Sequence, residues 1–153
     1  MDKKIRYIKS VFCVVLAWIF LFMSCAINAA SVQAAEDVKT DHVIAYYFHG
    51  DFRCASCHKI ENYTEEAIKE YFGEQLGSGQ LVYKVVNVEQ GENAHFVEDY
   101  GLYTKSVVLS LIQDGKEVTY ENLTKVWEYL GNKQNFFDYI RTETDKFLGK
   151  LKE

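Results

Sequence analysis

Apolar and polar positions divide the chain into strand-like and helix-like stretches. His42 to His49 (HVIAYYFH) is almost continuously apolar, β-branched and aromatic, which predicts a strand buried on both faces. Gly50-Asp51-Phe52-Arg53 is the turn that follows. From Cys54 to about Leu76, residues Ile60, Tyr63, Ala67, Ile68, Tyr71, Phe72 and Leu76 recur at helical spacing. Asn62 or Thr64 within that stretch offers a cap for a second segment, and with it a kink or break. Gly77-Ser78-Gly79 ends the helix, and Leu81 to Val88 (LVYKVVNV) predicts a second strand.

Beyond it, Glu92 to Tyr100 reads as a short helix stopped by Gly101. Val107 to Ile112 predicts a third strand, Gln113 to Lys116 a hairpin turn around Asp114-Gly115, and Glu117 to Tyr120 a fourth strand. The remainder is helical: Leu123 to Leu130, an interruption at Gly131-Asn132, then Gln134 to Leu148. The order β-α-β-α-β-β-α opens with a parallel βαβ unit and closes with an antiparallel hairpin. It predicts an α/β domain over residues 42–150, a mixed four-stranded sheet with helices on both faces. Tyr46, Phe48, Tyr71 and Phe72 have core spacing, and Trp127, Phe136 and Phe137 are expected to pack the last helices on the sheet.

The start of the chain has a different pattern. Lys3, Lys4, Arg6 and Lys9 precede an uncharged apolar run from Val11 to Met23, and small residues then lead to Val32-Gln33-Ala34. These are the three parts of a secretory signal, expected to be cleaved before Ala35, with residues 35–41 as a polar leader. Retention of Val11 to Ala30 as an anchor, or lipid attachment at Cys25, are the alternatives. Each implies an extracytoplasmic protein, periplasmic or secreted. Loss of residues 1–34 removes four basic residues and one acid. The 17 basic and 22 acidic residues become 13 and 21, and the net charge moves from -5 to -8. An acidic domain without a basic stripe argues against nucleic acid and against anionic membrane surfaces as partners.

Of the four cysteines, Cys13 and Cys25 lie within that signal, which leaves Cys54 and Cys57. A bridge across so short a loop constrains the unfolded chain little, so the pair reads as reactive rather than as a staple. At helix positions i and i+3 the two thiols share a face and can bond directly. Cys54, at the helix start, is the expected attacking thiolate; Arg53 and a protonated His58 push the same way, and Cys57 is the resolving thiol. Two other chemistries fit the residues. Cys54-x-x-Cys57-His58 is a literal match to the haem c attachment motif, with His58 as proximal ligand. Both methionines, Met1 and Met23, fall in the signal, so a distal ligand would come from His42, His49 or His95. Alternatively Cys54, Cys57 and His58, with His49 or His95 as fourth ligand, suit a Zn or Cu ion. The dithiol reading needs no cofactor and implies a protein thiol or disulfide as partner.

The element order, with Cys-x-x-Cys at the first strand-to-helix junction, resembles the thioredoxin fold over most of residues 42–150. Tyr100-Gly101-Leu102 and the Asp114-Gly115-Lys116 hairpin look like the matching thioredoxin segments. More closely, Tyr46-Tyr47-Phe48-His49-Gly50 leading into Arg53-Cys54-Ala55-Ser56-Cys57-His58-Lys59-Ile60-Glu61 looks like the ArsF family. Those are small exported thioredoxin-like proteins, named as subunits of a nitrophenyl-compound nitroreductase. The resemblance implies thiol–disulfide oxidoreductase or electron-transfer activity at the CASC pair, as part of a reductase system. It also marks two departures. Thioredoxins place a cis-proline before the third strand, facing the dithiol; the matching position is Ser106, and this chain has no proline. A trans Lys105-Ser106 bond and an altered docking ridge are therefore expected. The buried acid that thioredoxins keep behind the dithiol is replaced by Tyr47 or Phe48.

Other features have plainer readings. His58 next to Cys57 is an ordinary residue for a first helical turn, His49 can cap its turn, and His95 reads as surface. Asn62-Tyr63-Thr64 and Asn122-Leu123-Thr124 match the glycosylation acceptor, but both are read as helix caps. No paired-carboxylate or Ser-His-Asp arrangement emerges.

Overall fold

In the computed structural model the described residues are 41–152, so the signal reading, and the leader apart from Asp41, lie outside them. Four strands form one sheet in the order β2-β1-β3-β4: β1 (His42–His49), β2 (Leu81–Asn87), β3 (Ser106–Gln113) and β4 (Lys116–Asn122). β1 pairs in parallel with β2, Val43 opposite Leu81, and antiparallel with β3, Phe48 opposite Ser106. With neighbours on both edges and cover on both faces, Val43 to Phe48 are all buried, as the unbroken apolar run requires.

Alternation along β1 divides the core. Val43, Ala45 and Tyr47 face one side, together with Leu81, Val107, Leu109 and Leu111. That side is covered by two 17-residue helices, α1 (Ala55–Tyr71) and α4 (Lys133–Gly149). α1 presents Cys57, Ile60, Thr64, Ala67 and Ile68, and α4 presents Phe136, Phe137, Ile140 and Phe147. α1 does not break near Asn62. The Thr64 hydroxyl donates back to the Ile60 carbonyl at 2.8 Å, so it serves the helix interior and caps nothing. The break comes at Phe72 (φ -128, ψ 29), before the short helix α2 (Gly73–Ser78). There the buried phenyl ring anchors the chain to the core. Asn122 likewise caps no helix and is the last residue of β4.

On the opposite face Ile44, Tyr46, Phe48 and Val108 pack against Tyr100 and Leu102. The cover here is thin. The expected helix from Glu92 is a single 3-10 turn, Gly91–Asn93, followed by the four-residue helix α3 (Phe96–Asp99). Gly101 then adopts φ +58 and reverses the chain. The β3–β4 turn is two residues, Asp114 (φ 51) and Gly115 (φ 70), whose positive φ angles match the twist of the hairpin. Leu123 to Leu130 forms two 3-10 turns, Thr124–Val126 and Tyr129–Gly131, in place of a helix. At the expected interruption, Asn132 caps α4 by accepting the Asn135 amide at 3.1 Å.

Candidate redox site

The turn after β1 delivers Cys54 to the N-cap of α1, in extended conformation (φ -83, ψ 170). Cys54 and Cys57 are joined in a disulfide with their Cα atoms 5.0 Å apart. Each sulfur accepts the backbone amide of the other residue, Cys57 N–H to Cys54 Sγ at 3.3 Å and Cys54 N–H to Cys57 Sγ at 3.1 Å. Sulfur therefore fills the role that Ser or Asp oxygen has in an ordinary capping box. The same free amides favour negative charge on Cys54 once the bridge opens. The two sulfurs differ in access: Cys57 is only 2% exposed, while Cys54 is half-buried. An incoming group meets Cys54 first.

Below the pair lies Tyr47, fully buried, whose hydroxyl donates to the Cys57 carbonyl at 2.7 Å. Burial raises its pKa above 10, and the nearby Arg53 partly opposes that rise. Neighbouring Tyr83 is shifted further in the same direction, chiefly by burial. Arg53 does not stand free beside Cys54. Its guanidinium is ion-paired with Glu61 and lies 5.9 Å from the Tyr47 ring centroid. Residue pattern alone gives Glu61 no role beside the pair, and marks Tyr47 only as a candidate for the place of the missing acid. The signal for Glu61 is its spacing, four residues after Cys57 and seven after Cys54 on one helix face.

The remaining expected residues are placed as follows. His58 is exposed, and its amide closes the first helical turn onto the Cys54 carbonyl at 3.1 Å. Ser106 is buried at the start of β3, and its hydroxyl donates to the Thr104 carbonyl at 2.9 Å. The Lys105–Ser106 bond is trans, since no cis peptide occurs among the described residues. The Trp127 indole N–H takes the Lys105 carbonyl at 3.0 Å, which pins this loop from the other side. The candidate metal ligands do not converge. The two sulfurs are bonded to each other, His49 Nδ1 is 2.9 Å from the Gly50 carbonyl oxygen, and His95 pairs with Asp99. Among the described residues no group of three or more His, Cys, Asp or Glu side chains is arranged to hold an ion.

The ends of β1 and β2 and the loop before β3 enclose an open crevice lined by Phe48, Gly50, Val88, Glu89, Leu102 and Thr104. The chain leaves β1 toward one face of the sheet and β2 toward the other, and such a divergence opens a crevice at the strand ends. Two large aromatic side chains stand out nearby, Phe52 at 76% exposure and Tyr103 at 98%.

No family model and no curated protein matches this chain. Among solved structures it is similar to a thioredoxin of Fasciola hepatica, 26% identical, over 60% of this chain and 81% of that one, at a TM-score of 0.37. A mutant thioredoxin of Entamoeba histolytica is 20% identical over 68% of this chain and 84% of that one, at a TM-score of 0.40. A thioredoxin of Plasmodium falciparum is 18% identical over 61% and 83%, at 0.36. Strand order, strand directions and connections in this chain are themselves those of a thioredoxin-like fold, with a bridged cysteine pair at the first strand-to-helix junction.

Proposed function

We propose that this protein exchanges electrons with a protein partner by cycling Cys54 and Cys57 between dithiol and disulfide. One observation carries the reading: the bridge sits at the N-terminus of α1 with one sulfur accessible and the other buried. In the reducing direction, the Cys54 thiolate attacks a partner disulfide and expels one partner sulfur as a thiolate. The Cys57 thiolate then attacks the Cys54 sulfur of the mixed disulfide and releases the second partner thiolate. The partner gains two electrons, and the pair loses two and becomes the disulfide. The reverse sequence oxidises a partner dithiol by the same bonds.

The secretory pattern of residues 1–34 supports an extracytoplasmic setting, where a disulfide persists. The ArsF resemblance supports service as the electron-transfer subunit of a reductase system. The exposed Phe52 and Tyr103 and the crevice at the ends of β1 and β2 suit a partner's polypeptide better than a small charged substrate. In an insulin-reduction assay with dithiothreitol, the mature protein should give rapid, saturable turnover, and Cys54→Ala should reduce the rate to the uncatalysed background. Full activity in Cys54→Ala would end this reading.

A further inference from the structure

We infer that the Arg53–Glu61 ion pair keeps the reduction potential of the Cys54–Cys57 couple in place by charge balance, with Glu61 acting by holding and neutralising the cation next to Cys54. The inference rests on the redox reading above and names the residues that tune it. Arg53 adjoins Cys54 in the chain, while Glu61 lies on the helix face that carries both sulfurs. Neither charge is free in water, since the side chains of Arg53 and Glu61 are 24% and 19% exposed. The guanidinium also lies near the Tyr47 ring, and the Tyr47 hydroxyl holds the Cys57 carbonyl. Glu61, Arg53 and Tyr47 thus form a continuous strap alongside the bridge.

The other charged groups near this turn are engaged elsewhere or exposed. Asp51 accepts from the Asn87 amide, Glu89 accepts the Asp51 backbone amide, and His58 and Lys59 are exposed. Exposed ion pairs have little effect on their surroundings, but charges partly shielded from water act at a lower effective dielectric. The disulfide carries no charge, whereas the opened pair carries negative charge on Cys54. An uncompensated cation beside it favours the reduced state, and an uncompensated anion favours the disulfide. As a pair the two charges nearly cancel. Arg53 and Glu61 are positioning residues in this account, and neither takes part in bond exchange.

The test is equilibration of the mature protein with reduced and oxidised glutathione, in which two glutathione thiols reduce the bridge and leave as one glutathione disulfide. The equilibrium constant for forming the dithiol should rise three- to tenfold in Glu61→Gln and fall by a similar factor in Arg53→Met. Tenfold corresponds to about 30 mV for this two-electron couple. Arg53→Lys, which keeps the charge, and the double variant Arg53→Met/Glu61→Gln, which keeps neither, should both stay within about twofold of wild type. The double variant leaves no unpaired half-buried charge, so it keeps the comparison available where a single variant folds poorly. Shifts of the same sign in the two single variants, or none beyond twofold, overturn the inference while the redox reading stands. A wild-type bridge that glutathione can neither open nor re-form overturns both.

Discussion

The two faces of the sheet bury comparable strands under very different cover. On one side α1 and α4, each of 17 residues, lie over Val43, Ala45 and Tyr47. On the other a 3-10 turn and the four-residue α3 cover Ile44, Tyr46 and Phe48. A helix of one turn has no stability of its own. The thin side is therefore held by its side chains. Phe96 and Tyr100 stack at 5.7 Å with an interplanar angle of 6°, and Tyr46 and Phe48 stack at 5.0 Å beneath them. The Tyr100 and Ser110 hydroxyls both donate to the Glu117 carboxylate at 2.5 Å. The Cys54–Cys57 bridge belongs to the thick side, where a long helix fixes the amides that meet its sulfurs. The loop from Leu102 to Lys105 belongs to the thin side, and it carries Tyr103, the most exposed aromatic ring among the described residues. The helix that carries the sulfurs and the loop that exposes Tyr103 thus lie on different faces.

The strongest way to break this comparison is to truncate one phenylalanine on each side. Phe136→Ala, which empties a fully buried site under α4, should cost about 3–5 kcal/mol in urea unfolding. Phe96→Ala removes a partly buried ring and should cost about 1–2 kcal/mol, as expected for a less buried site. Equal losses would mean that the two covers are equivalent.

Alkaline pH probes both faces at once. Burial raises the pKa of Tyr46 and Tyr47 above 10; Tyr100 moves the same way through burial and its bond to Glu117, and Tyr139 is pushed up to about 12. A tyrosine whose folded pKa exceeds its unfolded value stabilises the fold below pH 10. It loses that contribution as pH rises toward the folded value. Urea midpoints should therefore be flat to about pH 9.5 and fall steadily from about pH 10 to 12. Tyr47→Phe and Tyr100→Phe should each make that fall shallower, one on each face. An unchanged slope in both would show that other groups govern alkaline unfolding.

The smallest effect is expected where the thin side meets the redox turn. A Cβ on Gly50 would collide with the Glu89 carboxylate, which accepts the Asp51 amide at 3.0 Å. That carboxylate ends a flexible, exposed side chain, so Gly50→Ala should cost only about 1 kcal/mol, roughly the hydrogen bond it displaces. Glu89→Ala loses the same bond, so adding it to Gly50→Ala should cost little beyond either single variant, with thermal melts of single and double variants as the measure.

Elements governed by short-range chemistry are legible in the residues themselves. The unbroken run His42–His49 specifies a strand buried on both faces, and the spacing of Ile60, Ala67 and Ile68 specifies the inner side of a helix. Asp114-Gly115 specifies a two-residue turn. Two cysteines three residues apart after a strand specify a pair that can bridge, because i and i+3 share a helix face. Residue pattern misleads where local signals compete. Asn62 and Thr64 have the chemistry of caps, yet a helix with Ile60, Thr64 and Ala67 buried beneath it has more to gain by continuing. Glu92 to Tyr100 has a helical pattern, yet only its last turn forms, because aromatic packing on the sheet outweighs propensity over so short a segment.

The surroundings of the bridge are decided by packing alone. Tyr47 reaches Cys57 because α1 lies across β1 at the height that sets a phenol under a carbonyl. Arg53 meets Glu61 because the turn folds back along the first two turns of that helix. Ser106 is buried because β3 pairs it with Phe48 in the antiparallel register. Residue type and spacing fix what a segment can form and that two cysteines can bridge. Which side chains surround that pair depends on how distant segments stack, and that is settled by burial of the whole sheet between its two unequal covers.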